Sequence, residues 1–357
     1  MTQQTYKIAV LSVGQEVSDN RYSFLKALFM LGNKIRKIGV YNEAAMENLI
    51  EYNPDFMMVF CMDYKKMYAD GKDSFLSCFP YATIWDSNPL GALCFLKNHK
   101  ENHISLLMID SKVVTDLKSL GFEQAVYFPY YYADQEIFKP LSPTEQYSHD
   151  VSFAGRFFNP LKISTIFTGT VEWSDGMKLL RKEFNEKRME ENWYVDVFEY
   201  LNGKMDIWGR ECEELSYYLM FLQKFIERIQ LFKTISSAGI ALHVYGKENA
   251  SHFDDEFNKM LRVACSHVYF HDTIDKHTEL PKLYNSTKIN PCCTQFPRAC
   301  HERVFQTAAC GAFILHEYKE DVPDLFEPGK EIIMYKSLDE LPDLIKYYLK
   351  HEDERNK

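Results

Sequence analysis

At 357 residues the chain exceeds one ordinary compact domain and predicts two. Its 46% hydrophobic, 15% aromatic and 26% charged residues fit a folded soluble protein and exclude a disordered or fibrous one. A net charge of -10 argues against nucleic acid or an anionic membrane as the general partner, although a sum cannot exclude one local basic cleft.

Nine cysteines with no CxxC pair, most inside apolar runs, predict buried free thiols in a reducing, cytoplasmic setting. The polar start Met1 to Gln4 runs straight into a strand pattern. No apolar run approaches the ~20 residues of a membrane span, so neither a signal peptide nor a transmembrane segment is expected.

Lys7 to Val13 is an apolar run closed by Gly14, the usual entry to a Rossmann-like unit. A helix follows over Ser23 to Leu31, with Gly32 to end it. Strands are expected at Ile35 to Tyr41 and at Phe56 to Cys61, with a helix from Ala44 to Tyr52 between them. The second of these strands is apolar throughout, as suits a parallel strand buried on both faces. Further strands are expected at Ala82 to Trp85, Ser105 to Ile109 and Ala125 to Phe128, with a helix over Ser111 to Leu120. This alternation predicts a doubly wound parallel sheet over residues 1–140.

Glu136 to His149, with Pro140 and Pro143, reads as the domain linker. A second α/β unit opens at Asp150 to Ala154 and extends to about residue 336. Its strands are expected at Ile240 to Tyr245, His267 to Phe270, Thr287 to Asn290, Ala312 to His316 and Ile332 to Tyr335. Between them, about 161–237, helical periodicity (Leu215, Leu219, Leu222, Phe225, Ile226, Ile229) predicts a helical insertion of packing residues. A final helix spans Leu338 to His351.

Three stretches carry a resemblance. The first runs from Leu120-Gly121-Phe122 through Phe128-Pro129 to Asp134-Gln135-Glu136-Ile137-Phe138-Lys139-Pro140. The second is Asp150-Val151-Ser152-Phe153-Ala154-Gly155. The most specific is Arg303-Val304-Phe305-Gln306-Thr307-Ala308-Ala309-Cys310-Gly311-Ala312-Phe313-Ile314-Leu315, continuing into Leu325 to Tyr335. Together they resemble the spore-maturation (CgeB-like) branch of the group 1 glycosyltransferases.

That resemblance implies a GT-B fold: two Rossmann-like domains facing a cleft, with the nucleotide donor mainly on the C-terminal one and the acceptor mainly on the N-terminal one. It implies a metal-independent transfer of a hexosyl or N-acetylhexosaminyl group from a nucleoside-diphosphate sugar to a protein, glycan or small-molecule acceptor. No cofactor beyond the donor is expected, and self-association is compatible with it. The terminal helix, 337–357, would cross back to the first domain.

The departing diphosphate gathers negative charge, and without a metal Arg, Lys, His and helix N-terminal amides must stabilise it. Thr294 to Gln306 (TQFPRACHERVFQ) offers Arg298, His301 and Arg303 at a helix start near Glu302. The alternative is that Arg303 pairs with an acid and His301 is an ordinary surface residue. Where many group 1 enzymes hold the donor ribose with a glutamate, this chain has Gln306, whose amide still accepts a hydroxyl hydrogen bond. The first glutamate of the family's paired motif falls at Arg298, so stereochemistry is not assigned.

The resemblance places His271 and Asp272 near the nucleobase, and Gly246 and Lys247 at the same cleft. Lys247 and Arg156 read equally as solvated loop residues. Asp86, at a strand end, is the candidate general base, which must come within about 3 Å of the acceptor hydroxyl. Equally, Asp86-Ser87-Asn88-Pro89 is an Asx turn capping the next helix. Glu16 and Asp19 are weaker alternatives.

Neither GxGxxG, GxxxxGK[ST] nor GxSxG occurs, and the histidine spacings fit no zinc site. Asp254-Asp255 reads as a solvated helical face. Two further readings stay open: a catalytically inactive GT-B binding or scaffold protein, favoured by Gln306, and a sugar-nucleotide epimerase.

Overall fold

A computed structural model describes residues 4–13, 19–85, 90, 93, 96–97, 101–129, 133–157, 174–190, 195–247, 265–294 and 296–357. Side chains are further left undescribed at 19–22, 62, 156–157, 188–190 and 247. Two compact units emerge: unit 1 comprises Met1–Tyr132 with Asp196–Ser216, and unit 2 comprises Ala133–Val195 with Tyr217–Lys357.

Unit 1 is built on β1 (Lys7–Ser12), β2 (Lys34–Gly39), β3 (Phe56–Phe60), β4 (Tyr81–Trp85), β5 (His103–Met108) and β6 (Ala125–Tyr127). They form one six-stranded sheet in the order β2-β1-β3-β4-β5-β6, and every pairing is parallel. The connecting helices include α1 (Asp19–Met30), α2 (Ala45–Tyr52), α3 (Cys61–Ala69) and α4 (Ser111–Ser119). Central strands β3 and β4 are buried along nearly their whole length, as suits the unbroken apolar sequence of β3, while the Thr83 hydroxyl of β4 lies 2.9 Å from His103 Nε2. Gly32 and Gly121 stop α1 and α4 in the left-handed region, at φ 88° and 92°, which glycine adopts without a Cβ clash. Asp110 starts α4 by accepting the N–H groups of Lys112 and Val113.

The remainder of unit 1 is the segment holding α6 (Val197–Leu201) and the start of α7 (Arg210–Ser237); α5 (Asp175–Glu190) precedes it in unit 2. Lys112 reaches Glu199 at 2.9 Å, Lys65 reaches Glu213 at 3.5 Å, and Trp208 packs 6.1 Å from Phe122. These contacts give residues 196–216 to unit 1, whereas the sequence places the whole of 161–237 in the second domain.

Unit 2 has β7 (Ser152–Phe157), β8 (Leu242–Lys247) and β9 (Val268–Asp272) in one parallel ladder. A second ladder holds β10 (Asn290–Cys292), β11 (Ile314–Glu317) and β12 (Ile333–Tyr335). A parallel bridge between Val151 and Ile289 joins them, with Ile289 N–H donating to Asp150 O at 3.0 Å. The second sheet thus runs β9-β8-β7-β10-β11-β12. From Tyr217 onward α7 covers one face, burying Leu231, Phe232 and Ile235 against Phe153, Leu242 and Val244. On the other face lies α8 (Leu280–Ser286), a helix the sequence reading missed because seven residues are too few for a periodic signal.

The Pro-containing stretch read as a linker packs as part of unit 2. Phe138 and Tyr147 are buried with Tyr245, Leu283 and Tyr284. Leu141 N–H donates to Asn285 Oδ1 at 2.7 Å, and Asn285 Nδ2 donates to Lys139 O at 3.0 Å. The terminal helix packs within unit 2. In α10 (Leu341–Lys350), Leu341 and Ile345 belong to the unit 2 core with Val151, Leu315 and Tyr335. α11 (Glu352–Arg355) ends the chain. No helix among the described residues is long and apolar enough to cross a membrane.

Candidate anion site in unit 2

α9 (Glu302–Ala309) begins after an irregular loop that leaves β10. Its N-cap is His301, in extended backbone, whose Nδ1 accepts the N–H of Arg303 at 3.3 Å. That bond leaves the ring proton on Nε2. Burial, then the positive charges of Arg303, Lys224, Arg228 and Lys276, hold its pKa well below the ordinary imidazole value. His301 is therefore a neutral donor sitting in a positive field. Upstream, Thr294 N–H donates to Glu317 Oε2 at 3.5 Å, and Glu317 is paired with buried Lys319 at 2.8 Å, which anchors the start of the loop.

Two guanidiniums converge here. Arg303 is 5% exposed and Arg228 4%. Their Cζ atoms lie 4.7 Å and 5.4 Å from the ring centroid of Phe153 on β7. A Cβ built on Gly155 would fall 2.6 Å from Arg303 Nη2 and 3.3 Å from Arg228 Nη2. Only glycine leaves both heads in place. Burial, and after it the charge of Arg303, lower the Arg228 pKa to about 10. Arg303 Nη1 is buried and has no hydrogen-bond partner among the described residues. Lys276 approaches Glu302 at 3.4 Å, and Lys224 stands one turn before Arg228 on α7. The backbone amides of the first turn of α9 add their partial positive charge.

The sequence-predicted residues divide. His301, Glu302 and Arg303 come together at the start of α9, and Gln306 is buried one turn further along. Arg298 Nε donates to Glu320 at 2.8 Å. His271 belongs to a separate group, with its ring stacked 4.4 Å from Tyr245 and its Nε2 3.0 Å from His243 Nδ1. His149 lies 3.7 Å above His243. Asp272 is exposed at the end of β9, and Gly246 turns at φ 124° within β8. The side chains of Lys247 and Arg156, and the whole of Glu16, Asp86 and Asp254-Asp255, lie outside what is described, and so does the Asp19 side chain.

Arg228 and Lys224 were missed, because they sit in a segment read as packing. Their spacing carried the signal. Arg228 precedes Leu231, Phe232 and Ile235 by three, four and seven residues, so it shares the buried stripe of its helix.

Residues 223–357 match the family model described as glycosyl transferase-like, a span that includes Arg228, the α9 start and Gln306. No curated protein matches the sequence. Among solved structures, Alr3699/HepE of Anabaena, in complex with UDP and glucose, is similar with a TM-score of 0.52 at 10% identity, covering 98% of this chain and 92% of that one. A glycosyltransferase from Rickettsia africae and sucrose-phosphate synthase from Thermosynechococcus elongatus each give 0.53 at 10% identity, covering 99% and 91%.

The chain has the GT-B fold. In this GT-B chain, the unit matched by the glycosyl transferase-like family is the one that carries the two guanidiniums.

Proposed function

We propose that the chain is a glycosyltransferase whose donor is a nucleoside-diphosphate sugar, with the diphosphate seated on the first turn of α9 between Arg303 and His301. The observation that carries this is Arg303 Nη1, buried without a hydrogen-bond partner among the described residues, next to a second buried guanidinium. Burying such a group without an acceptor costs several kcal/mol. An anion bound here recovers that cost. It is also stabilised more as its charge grows, which is what a departing diphosphate requires. The glycosyl transferase-like match over residues 223–357 supports the reading. The UDP in HepE makes UDP-sugars the first donors to test.

In this reading His301 Nε2 donates to a phosphate oxygen and Gln306 contacts the ribose. The cationic side chains take the place of a divalent ion, so transfer is metal-independent. The transferred group is a hexose or N-acetylhexosamine. The acceptor is a protein, glycan or small molecule, with Asp86 as the base, and the reaction runs in the cytoplasm.

Thermal shift and UDP release with a panel of UDP-sugars, in EDTA, test it. Donor at a hundred times its Kd should add about 2.7 kcal/mol of stability. UDP release should depend on Arg303 and survive the chelator. Binding with no turnover across acceptors selects the scaffold reading, and an altered sugar nucleotide formed without acceptor selects the epimerase.

A further inference from the structure

The strongest unused surface is in unit 1. Between Asp19 and Glu43 the sequence has no acidic residue and five cations, Arg21, Lys26, Lys34, Arg36 and Lys37, in a chain of net charge -10. At the centre of this run α1 ends in Phe29 and Met30 and is followed by Leu31; the three are 66%, 69% and 53% exposed. Gly32, at φ 88°, turns the chain immediately afterwards, so the three apolar side chains occupy the tip of a helix-to-strand turn. The strand that follows, β2, is the edge of its sheet, and Lys34, Arg36 and Lys37 on it are exposed. Three consecutive large apolar side chains in water, followed in the chain by exposed cations on an edge strand, mark a surface that something covers.

We propose that this tip docks on an anionic lipid surface, with Phe29, Met30 and Leu31 entering the headgroup boundary and the cations meeting lipid phosphates. Charge selects that occupant. A second copy presenting the same face would set its cations against these. A nucleic acid would satisfy the cations but leave the apolar triplet in water. A bilayer takes both, since apolar side chains and a basic patch are the two signals that together hold a protein at a membrane. The chain then lies on the membrane, in keeping with the lack of a spanning helix among the described residues. The inference is independent of the donor site in unit 2.

Sedimentation of the full chain with vesicles tests it. Phosphatidylcholine vesicles are compared with vesicles that also contain phosphatidylglycerol. Partitioning should be at least about tenfold stronger onto the mixed vesicles and should weaken as salt screens the cations. The variant F29S/M30S/L31S should lose about tenfold or more of that binding with Tm unchanged, and Phe29→Ser alone should lose severalfold. The proposal is overturned by equal binding to both vesicle types, by no binding to either, or by equal binding of wild type and the serine variants. It is also overturned if gel filtration shows a wild-type dimer that the serine variant converts to monomer.

Discussion

Arg303 Nη2 stands 2.6 Å from the point where a Cβ on Gly155 would sit, so a strand residue and a helix residue far apart in sequence share one volume. The Phe153 ring supports the guanidinium from one side, and Arg228 occupies the adjoining space. This packing explains why Phe153-Ala154-Gly155 and the Arg303 helix occur in the same chain: the glycine makes room for the cation.

Gly155→Ala should therefore displace the Arg303 head while leaving the sheet intact. Losing one charge-assisted contact of roughly 1.5–3 kcal/mol predicts a rise of about 10- to 100-fold in the Kd for UDP. Calorimetric titration measures this, and a parallel melt should show Tm within a few degrees of wild type. An unchanged Kd would mean that Arg303 is not a ligand.

Arg303→Met separates binding from stability in the opposite direction. Replacing a buried cation that has an unsatisfied nitrogen by an apolar side chain of similar length is often neutral or stabilising by about 1–4 kcal/mol. The unliganded variant should melt at or above the wild-type temperature, yet gain nothing from UDP. A large loss of stability without ligand would show that Arg303 is satisfied within the protein.

Acid should weaken unit 2 through its buried imidazoles. Burial holds His316 at about 3 and, together with His243 and His271, holds the more accessible His149 at about 4. A folded-state pKa below the unfolded value of roughly 6.5 means that the unfolded chain takes up protons that the fold refuses. The stability contributed is complete above that value and is lost as pH falls toward the folded-state pKa. For fully buried His316 the loss from pH 7 to pH 5 is about 2 kcal/mol, and less for His149. Asp116, raised to about 6 by burial, works the other way, so the variant comparison is the test. Urea melts of wild type and His316→Gln at both pH values should show a smaller pH difference in the variant; an equal difference would refute this role for His316.

Leu341→Ala should destabilise unit 2 by about 2–5 kcal/mol, because its side chain is wholly buried in that core. Removing α10 and α11 together should prevent unit 2 from folding cooperatively. A urea midpoint unchanged by Leu341→Ala would instead indicate that the terminal helix is an appendage.

Much of this was legible in sequence, for identifiable reasons. Phe56 to Phe60 is apolar throughout because β3 is buried on both faces, and Gly32 and Gly121 mark helix ends because their φ is positive. The helix start near Glu302 was legible, with His301 as its N-cap and Arg303 in its first turn. What failed depended on tertiary packing. The stretch from Glu136 to His149 looks polar and Pro-rich, yet Phe138 and Tyr147 are core residues that pack with Leu283 and Tyr284, more than a hundred residues away. The ion pair of Arg298 with Glu320 carries no signal in the local sequence. Arg228 was hidden because arginines on helices mostly face solvent, whereas this one is buried.

The most direct test of the central claim is a crystal structure of the chain with UDP. The account predicts the β-phosphate within hydrogen-bond distance of Arg303 Nη1 and of the first-turn amides of α9, with His301 Nε2 donating to it. A nucleotide bound with its diphosphate away from Arg303 and His301 would contradict it.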